Sequence, residues 1–366
     1  MIGYIARRLL LIIPTLLGIM LLNFIIVQAA PGGPIQQVIS QMRGEASDID
    51  ARLGGGDQLQ REQTFGADNS YRGAQGIDPA FIKQLEKQFG FDKPPHERFL
   101  LMLKNYACFD FGKSYFRDKP VLEIIKSKLP VSISLGLWTT LLVYLISIPL
   151  GIRKAVHDGS RFDILTSAIV VVAYAVPSFL FALFLIVLFA GGSFFQFFPL
   201  RGLFSDNWSH LDFISKITDY FWHLFLPLLA MVISGFAKLT LLTKNSFLEE
   251  INKQYVTTAR AKGLEEKKIL YGHIFRNAML IVIAGFPAAF VHILFTSSLL
   301  IEVLFSLDGL GLLGFEAAMS RDYPVMFGCL YMFTLLGMFL HLIGDMMYMM
   351  VDRRIDLNAS RELQAQ

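Results

Sequence analysis

The chain has 366 residues, of which 54% are hydrophobic and 17% charged, and its mean hydropathy is +0.50. Soluble domains reach about 45–50% apolar residues with glycine counted, so the composition excludes an ordinary soluble globular protein and points to an all-α polytopic membrane protein. The net charge of +3 is too small to argue for a nucleic-acid partner, and two cysteines, Cys108 in a polar region and Cys329 in an apolar one, give no CxxC motif and no expected disulfide.

A membrane-spanning helix needs about 20 mostly apolar residues. Six stretches meet that length: Leu9–Ala30, Val131–Ile152, Ile164–Ala190, Tyr220–Thr243, Ala278–Ile301 and Tyr323–Val351. Several contain proline, which membrane helices tolerate better than soluble ones. The first stretch follows Arg7 and Arg8, and Val27-Gln28-Ala29 imitates a signal-peptide cleavage site. Its apolar run is longer than a signal peptide's usual 7–15 residues, so residues 1–30 are expected to stay as an uncleaved first span.

Residues 31–130 form the one long polar region. Within it, 40–77 is polar and glycine-rich and is expected to be flexible. From 78 to 130 a helical subdomain is expected. Asp78 suits an N-cap, with Pro79 at the first helical position and Phe81, Leu85 and Phe89 on one face. Pro94 and Pro95 open a second piece, with Phe99, Leu103 and Tyr106 on one face. Val121–Lys128 reads as a short interfacial helix ended by Pro130. Residues 131–352 then carry the other five spans, and 353–366 form a tail.

Arginine and lysine cluster before span one and after spans two, four and six. The positive-inside rule therefore places both termini and the loop 244–277 in the cytoplasm and 31–130 on the outer side.

The cytoplasmic loop has an internal order. Phe247, Ile251, Tyr255 and Ala259 make one apolar stripe at helical spacing, with Glu249, Glu250, Lys253 and Arg260 off it. Gly263 suits a helix end that needs a left-handed residue. Glu265 and Glu266 follow at the positive end of a new helix. Such a hairpin is either a solvated loop carrying topology charges, or an amphipathic element lying on the membrane or docking in a partner's groove.

Two runs separate these readings. "YVTTARAKG" at 255–263 and "HIFRNA" at 273–278 resemble the EAA-loop signature of ABC-importer permeases, in particular the dipeptide and oligopeptide permeases. The likeness extends to "RRLLLIIPTLLGIMLLNFIIVQAAPGGP", "LPVSISLGL", "IEVLFSLDGLGLLGFEAAMSRDYPVMFG" and "VDRRID". "NSYRGAQGIDP" and "SIPLGIRKAVHDGSRFD" are similar more narrowly to the B-type subunit of the Yej-type peptide and microcin C permeases.

The resemblance implies a six-helix ABC type I importer permease fold in a bacterial inner membrane. It implies a second homologous permease, two ATP-binding cassette subunits and a periplasmic peptide-binding protein as partners. Tyr255, Ala259, Arg260, Lys262, Gly263, Glu265, His273, Arg276 and Asn277 would then form the element that couples to the ATPase. Two positions depart from the family pattern. The usual EAA glutamate is Thr257, and the usual Pro-Gly-x-Gly is Asp308-Gly309-Leu310-Gly311.

Glu302 lies at the outer end of span five, near enough to the interface to be solvated, and reads as an anchor. Asp345 lies inside span six one turn after His341, and the pair could bond helices together or line a pathway. The chain has no phosphate-cradling Gly-x-x-x-x-Gly-Lys-Ser/Thr run, no His-Glu-x-x-His and no Gly-x-Ser-x-Gly. No cofactor, metal or catalytic residue is expected. The rival readings are an ion-coupled secondary peptide transporter, using Asp345, His341 or Glu302, and an intramembrane enzyme.

Overall fold

The computed structural model describes residues 2–29, 93–191, 194–295 and 299–351. The expected flexible stretch 40–77, the helix from Asp78 and the tail 353–366 lie outside the described residues. In chain order the helices are α1 (Ile2–Ala29), α2 (Pro95–Ala107), α3 (Val121–Val156), α4 (Arg161–Ala175), α5 (Ser178–Phe189) and α6 (Phe213–Ile251). They continue with α7 (Gln254–Ala261), α8 (Glu266–Ile269), α9 (Phe275–Phe295), α10 (Leu299–Leu304), α11 (Leu310–Ser320) and α12 (Tyr323–Val351). The stretch Leu270–Ile274 between α8 and α9 is wound as a π-helix.

By length and composition, five segments can cross a membrane: Ile5–Ile25, Val121–Val156, Phe213–Ile233, Glu266–Pro287 and Tyr323–Met346. Their exposed residues include Leu10 and Leu145, each more than 60% accessible. Side chains of this kind suit hydrocarbon, and the helices satisfy their own backbone groups there. The sixth expected span, Ile164–Ala190, is not one straight helix. It is the pair α4 and α5, bent by 94°. The cause is local. Pro177 disfavours helical torsions at the residue before it, and Val176 is extended at φ −86°, ψ 118°.

Pro130 is a second correction. It does not end a short helix but sits inside α3 with Pro149, and α3 runs unbroken for 36 residues. Each proline removes one backbone donor, which a long membrane helix absorbs. At 1.5 Å per residue α3 is about 54 Å long, well beyond a hydrocarbon core of about 30 Å.

The chain divides into two compact units. One comprises 1–12, 126–313 and 333–366. Two buried clusters hold it: one around Leu135, Ala182, Leu224, Ile301 and Phe305, the other around Ile152, Phe247, Val256, Ile269 and Ile274. Backbones approach closely where side chains are small. A β-carbon on Gly151 of α3 would lie 2.6 Å from Thr243 Cβ and 2.9 Å from the Thr240 carbonyl oxygen on α6. Gly344 of α12 packs on Pro287 of α9 in the same way.

The other unit comprises 13–125 and 314–332. As the spacing of Phe99, Leu103 and Tyr106 predicts, α2 buries Tyr106 and half-buries the other two. Tyr106, Phe111 and Tyr331 stack edge-on or tilted within 5.6 Å of one another. The turn after Phe111 is tied down by Asp322, which accepts hydrogen bonds from the Ser114 hydroxyl and the Tyr115 amide. Arg117 pairs with Glu316 at 2.6 Å. Cys108 and Cys329 are both free thiols.

Candidate functional site

The polar hairpin begins later than expected. Residues 244–251 still belong to α6, and Asn252 ends that helix, its side-chain amide donating to the Leu248 carbonyl at 2.9 Å. The stripe therefore runs over two helices. Phe247 is fully buried at the end of α6; Val256 and Ala259 are buried on α7. Ile269 of α8 and Ile274 of the π-helix complete the packed base. Ala259, expected in the coupling element, faces this core.

α7 ends in a Schellman motif. The Leu264 amide bonds the Ala259 carbonyl at 3.3 Å, and the Gly263 amide bonds the Arg260 carbonyl at 2.9 Å. Gly263 is left-handed, with φ +75°, as its place in the sequence predicts. A β-carbon there would meet nothing within 4 Å, so backbone conformation alone demands glycine.

Arg260 spans this turn. Its Nε donates to Glu266 Oε1 at 2.7 Å and its Nη2 to Glu266 Oε2 at 3.2 Å. Both guanidinium contacts are thus made within the hairpin, and Glu266, not Glu265, is the acid engaged. Glu265 is the residue before α8 and makes no side-chain cap. Lys262, Glu265 and His273 are exposed. So is Thr257, at the position of the family glutamate.

Tyr255 is a strut within the hairpin. Its hydroxyl donates to Glu250 Oε2 at 2.7 Å, and Asn277 hydrogen-bonds the same hydroxyl. Burial raises the Tyr255 phenol above its ordinary range, which keeps it a donor. Lys253 also pairs with Glu250. Ser246 donates to the Ala278 carbonyl at 2.6 Å. The start of α9, with Arg276 and Asn277 exposed on it, is thereby bound to the end of α6. The hairpin is held at both ends and offers a polar tip, 257–268, on which Leu264 is an exposed apolar residue.

Glu302 and Asp345, the acidic residues singled out in the sequence, have defined partners. Glu302 is fully buried, not solvated. Its Oε2 accepts the Leu312 amide at 2.7 Å and its Oε1 the Ser132 hydroxyl at 3.3 Å. The carboxylate therefore sits at the N-terminus of α11, where free amides and the helix dipole favour an anion. Asp345 is not paired with His341. It pairs with Arg8 of α1 at 2.8 Å, while His341 Nδ1 bonds the Gly337 carbonyl at 2.7 Å. These contacts are of the helix-joining kind.

A further buried charge cluster of Lys154, Asp163 and Lys244, with the more exposed Asp158 at its edge, is not announced by the sequence. Its basic members looked like topology charges. The available signal was Ser160 followed three residues later by Asp163, a helix-start pattern placed nine residues after Lys154.

Apolar helices long enough to span, with a polar hairpin clamped to their ends, define a polytopic helical membrane protein. Residues 147–357 match the family described as "Binding-protein-dependent transport system inner membrane component", and the chain belongs to that family. It is 60% identical to the peptidoglycan transport system permease protein YejB of Agrobacterium fabrum, over 97% of this chain and 98% of that one. It is 59% identical to the inner membrane ABC transporter permease protein YejB of Escherichia coli O157:H7, over 97% and 98%. The oligopeptide transport system permease protein AppB of Bacillus subtilis is 33% identical, over 97% and 100%.

Proposed function

We propose that this chain is a permease subunit of an ATP-driven ABC importer that carries oligopeptides across a bacterial inner membrane. It works with a second homologous permease, two ATP-binding subunits and a periplasmic peptide-binding protein. Full-length similarity to permeases whose names specify peptide or peptidoglycan transport supports the substrate class. The mechanism rests on one observation: the hairpin 252–277 is fastened to α6 and α9 by buried packing and by Tyr255, yet its tip is polar and exposed. An element built in that way passes a push on its tip to the spans. Closure of the ATPases on ATP moves the tip, and the spans expose their pathway to the other side.

Peptide-like antibiotics such as microcin C are included in the proposed range, on the likeness of 69–79 and 147–163 to the Yej-type permeases. Both termini and the hairpin are assigned to the cytoplasm and 31–130 to the periplasm, supported by the loop charges.

The test is purification in mild detergent from its native membrane, followed by mass spectrometry of what co-purifies. Two ATP-binding subunits and a second permease are expected. Peptide uptake into proteoliposomes by this chain alone, driven by a proton gradient, would establish a secondary transporter instead.

A further inference from the structure

Lys154 has no solvent exposure, although it ends one of the longest helices. Its ammonium lies 2.9 Å from Asp163 Oδ1 and donates to the Asp163 carbonyl at 2.9 Å, Thr166 Oγ1 at 2.8 Å and Ser167 Oγ at 2.7 Å. The other carboxylate oxygen of Asp163 accepts Lys244 Nζ at 2.7 Å and the Gly159 amide at 3.2 Å. Lys244 in turn reaches Asp158 Oδ1 at 2.8 Å. Two cations and two anions balance. They tie the start of α4 to α3 through Lys154 and to α6 through Lys244.

The same two helix ends carry the hairpin. Ile152 and Ala155 of α3 and Phe247 of α6 belong to one buried cluster with Val256, Ala259, Ile269 and Ile274. α3 and α6 also meet backbone to side chain at Gly151 and Thr243. The paired ends of α3 and α6 thus hold the hairpin by apolar packing and α4 by charge. Well-packed apolar residues commonly hold helices as firmly as buried ion pairs do. What a hydrogen-bonded charge network adds is a single register, since any slip leaves a charge buried and unpaired.

We propose that Asp163 is a positioning residue for transport: with Lys154 and Lys244 it transmits displacement of the hairpin to α4 and, past the bend at Val176 and Pro177, to α5. This rests on the importer reading above.

The experiment uses the assembled importer in proteoliposomes, with its binding protein loaded with trialanine. Lys244→Met keeps the Lys154–Asp163 pair and cuts the tie to α6. It is expected to assemble and hydrolyse ATP at the basal rate. Stimulation by loaded binding protein, and peptide moved per ATP, should fall about fivefold or more, the lower end of ordinary coupling between sites. Lys244→Arg should restore both. Normal stimulation in Lys244→Met overturns the linkage. If Lys244→Met does not reach the membrane, Asp163→Asn decides, because it keeps the side chain's size and removes the charge that both lysines share. A loss of stimulation supports the linkage, and unchanged stimulation overturns it. A native chain that recruits no ATPase would instead overturn the importer reading, an outcome visible before any variant is made.

Discussion

Arg260 and Glu266 clasp each other across the left-handed turn at Gly263, through two hydrogen bonds of 2.7 and 3.2 Å. Both side chains are largely exposed. Exposed pairs of this kind contribute little to stability, so the clasp sets the angle of the hairpin more than it stabilises the fold. Arg260→Glu should reduce ATPase recruitment, more at low salt than at high salt. Arg260→Glu combined with Glu266→Arg should recover most of the loss. Co-purification at two salt concentrations measures this. A double variant no better than the single one would mean that Arg260 acts on the partner and not on the hairpin.

Gly263 isolates backbone conformation from packing, because a side chain there meets open space. Gly263→Ala should cost roughly 1 kcal/mol locally, from the left-handed torsion alone. Gly263→Val should be worse, since a β-branched side chain is crowded at positive φ. Both should insert and fold. Stimulated ATP turnover of the reconstituted complex should fall in the order native, Ala, Val. Equal turnover in all three would leave the hairpin as a solvated loop.

Glu302 and Gly309 form a matched pair. A β-carbon on Gly309 would lie 2.5 Å from the Glu302 carboxyl carbon. Gly309→Ala must therefore displace the carboxylate from the start of α11. Glu302→Ala leaves the Leu312 amide and the Ser132 hydroxyl without that acceptor, at about 1–3 kcal/mol for a buried group. Each variant should lower the melting temperature in detergent. Their double variant should cost less than the sum, because both disturb one contact. Strict additivity would show that Gly309 is required for some other reason.

The orientation can be read directly. Alkaline phosphatase fused at Asp92 should be active, and fused at Asn358 inactive. The reverse pattern would invert the topology and put the hairpin on the side away from ATP.

Much of the architecture follows from the sequence because a bilayer constrains it in one dimension. Length and hydropathy alone locate α12, whose span Tyr323–Val351 is the predicted one. They also locate α1, α3, α6 and α9 apart from their ends. Gly263 is equally local: a left-handed C-terminal residue is a property of the chain on either side of it. The misjudged features depend on three dimensions. Pro130 and Pro177 are the same residue type between apolar runs, yet one lies inside α3 and the other sets a 94° bend. The residue before Pro177 is extended, whereas the chain around Pro130 stays helical. Glu302 reads as an anchor from the sequence, but its burial and its partner Leu312 are set by the fold, as is the pairing of Asp345 with Arg8. Lys154 and Lys244 looked like topology charges, and Asp163 did not stand out. They meet only because α3, α4 and α6 bring together groups up to 90 positions apart in the chain, and the strength of a buried charge contact depends on that closeness.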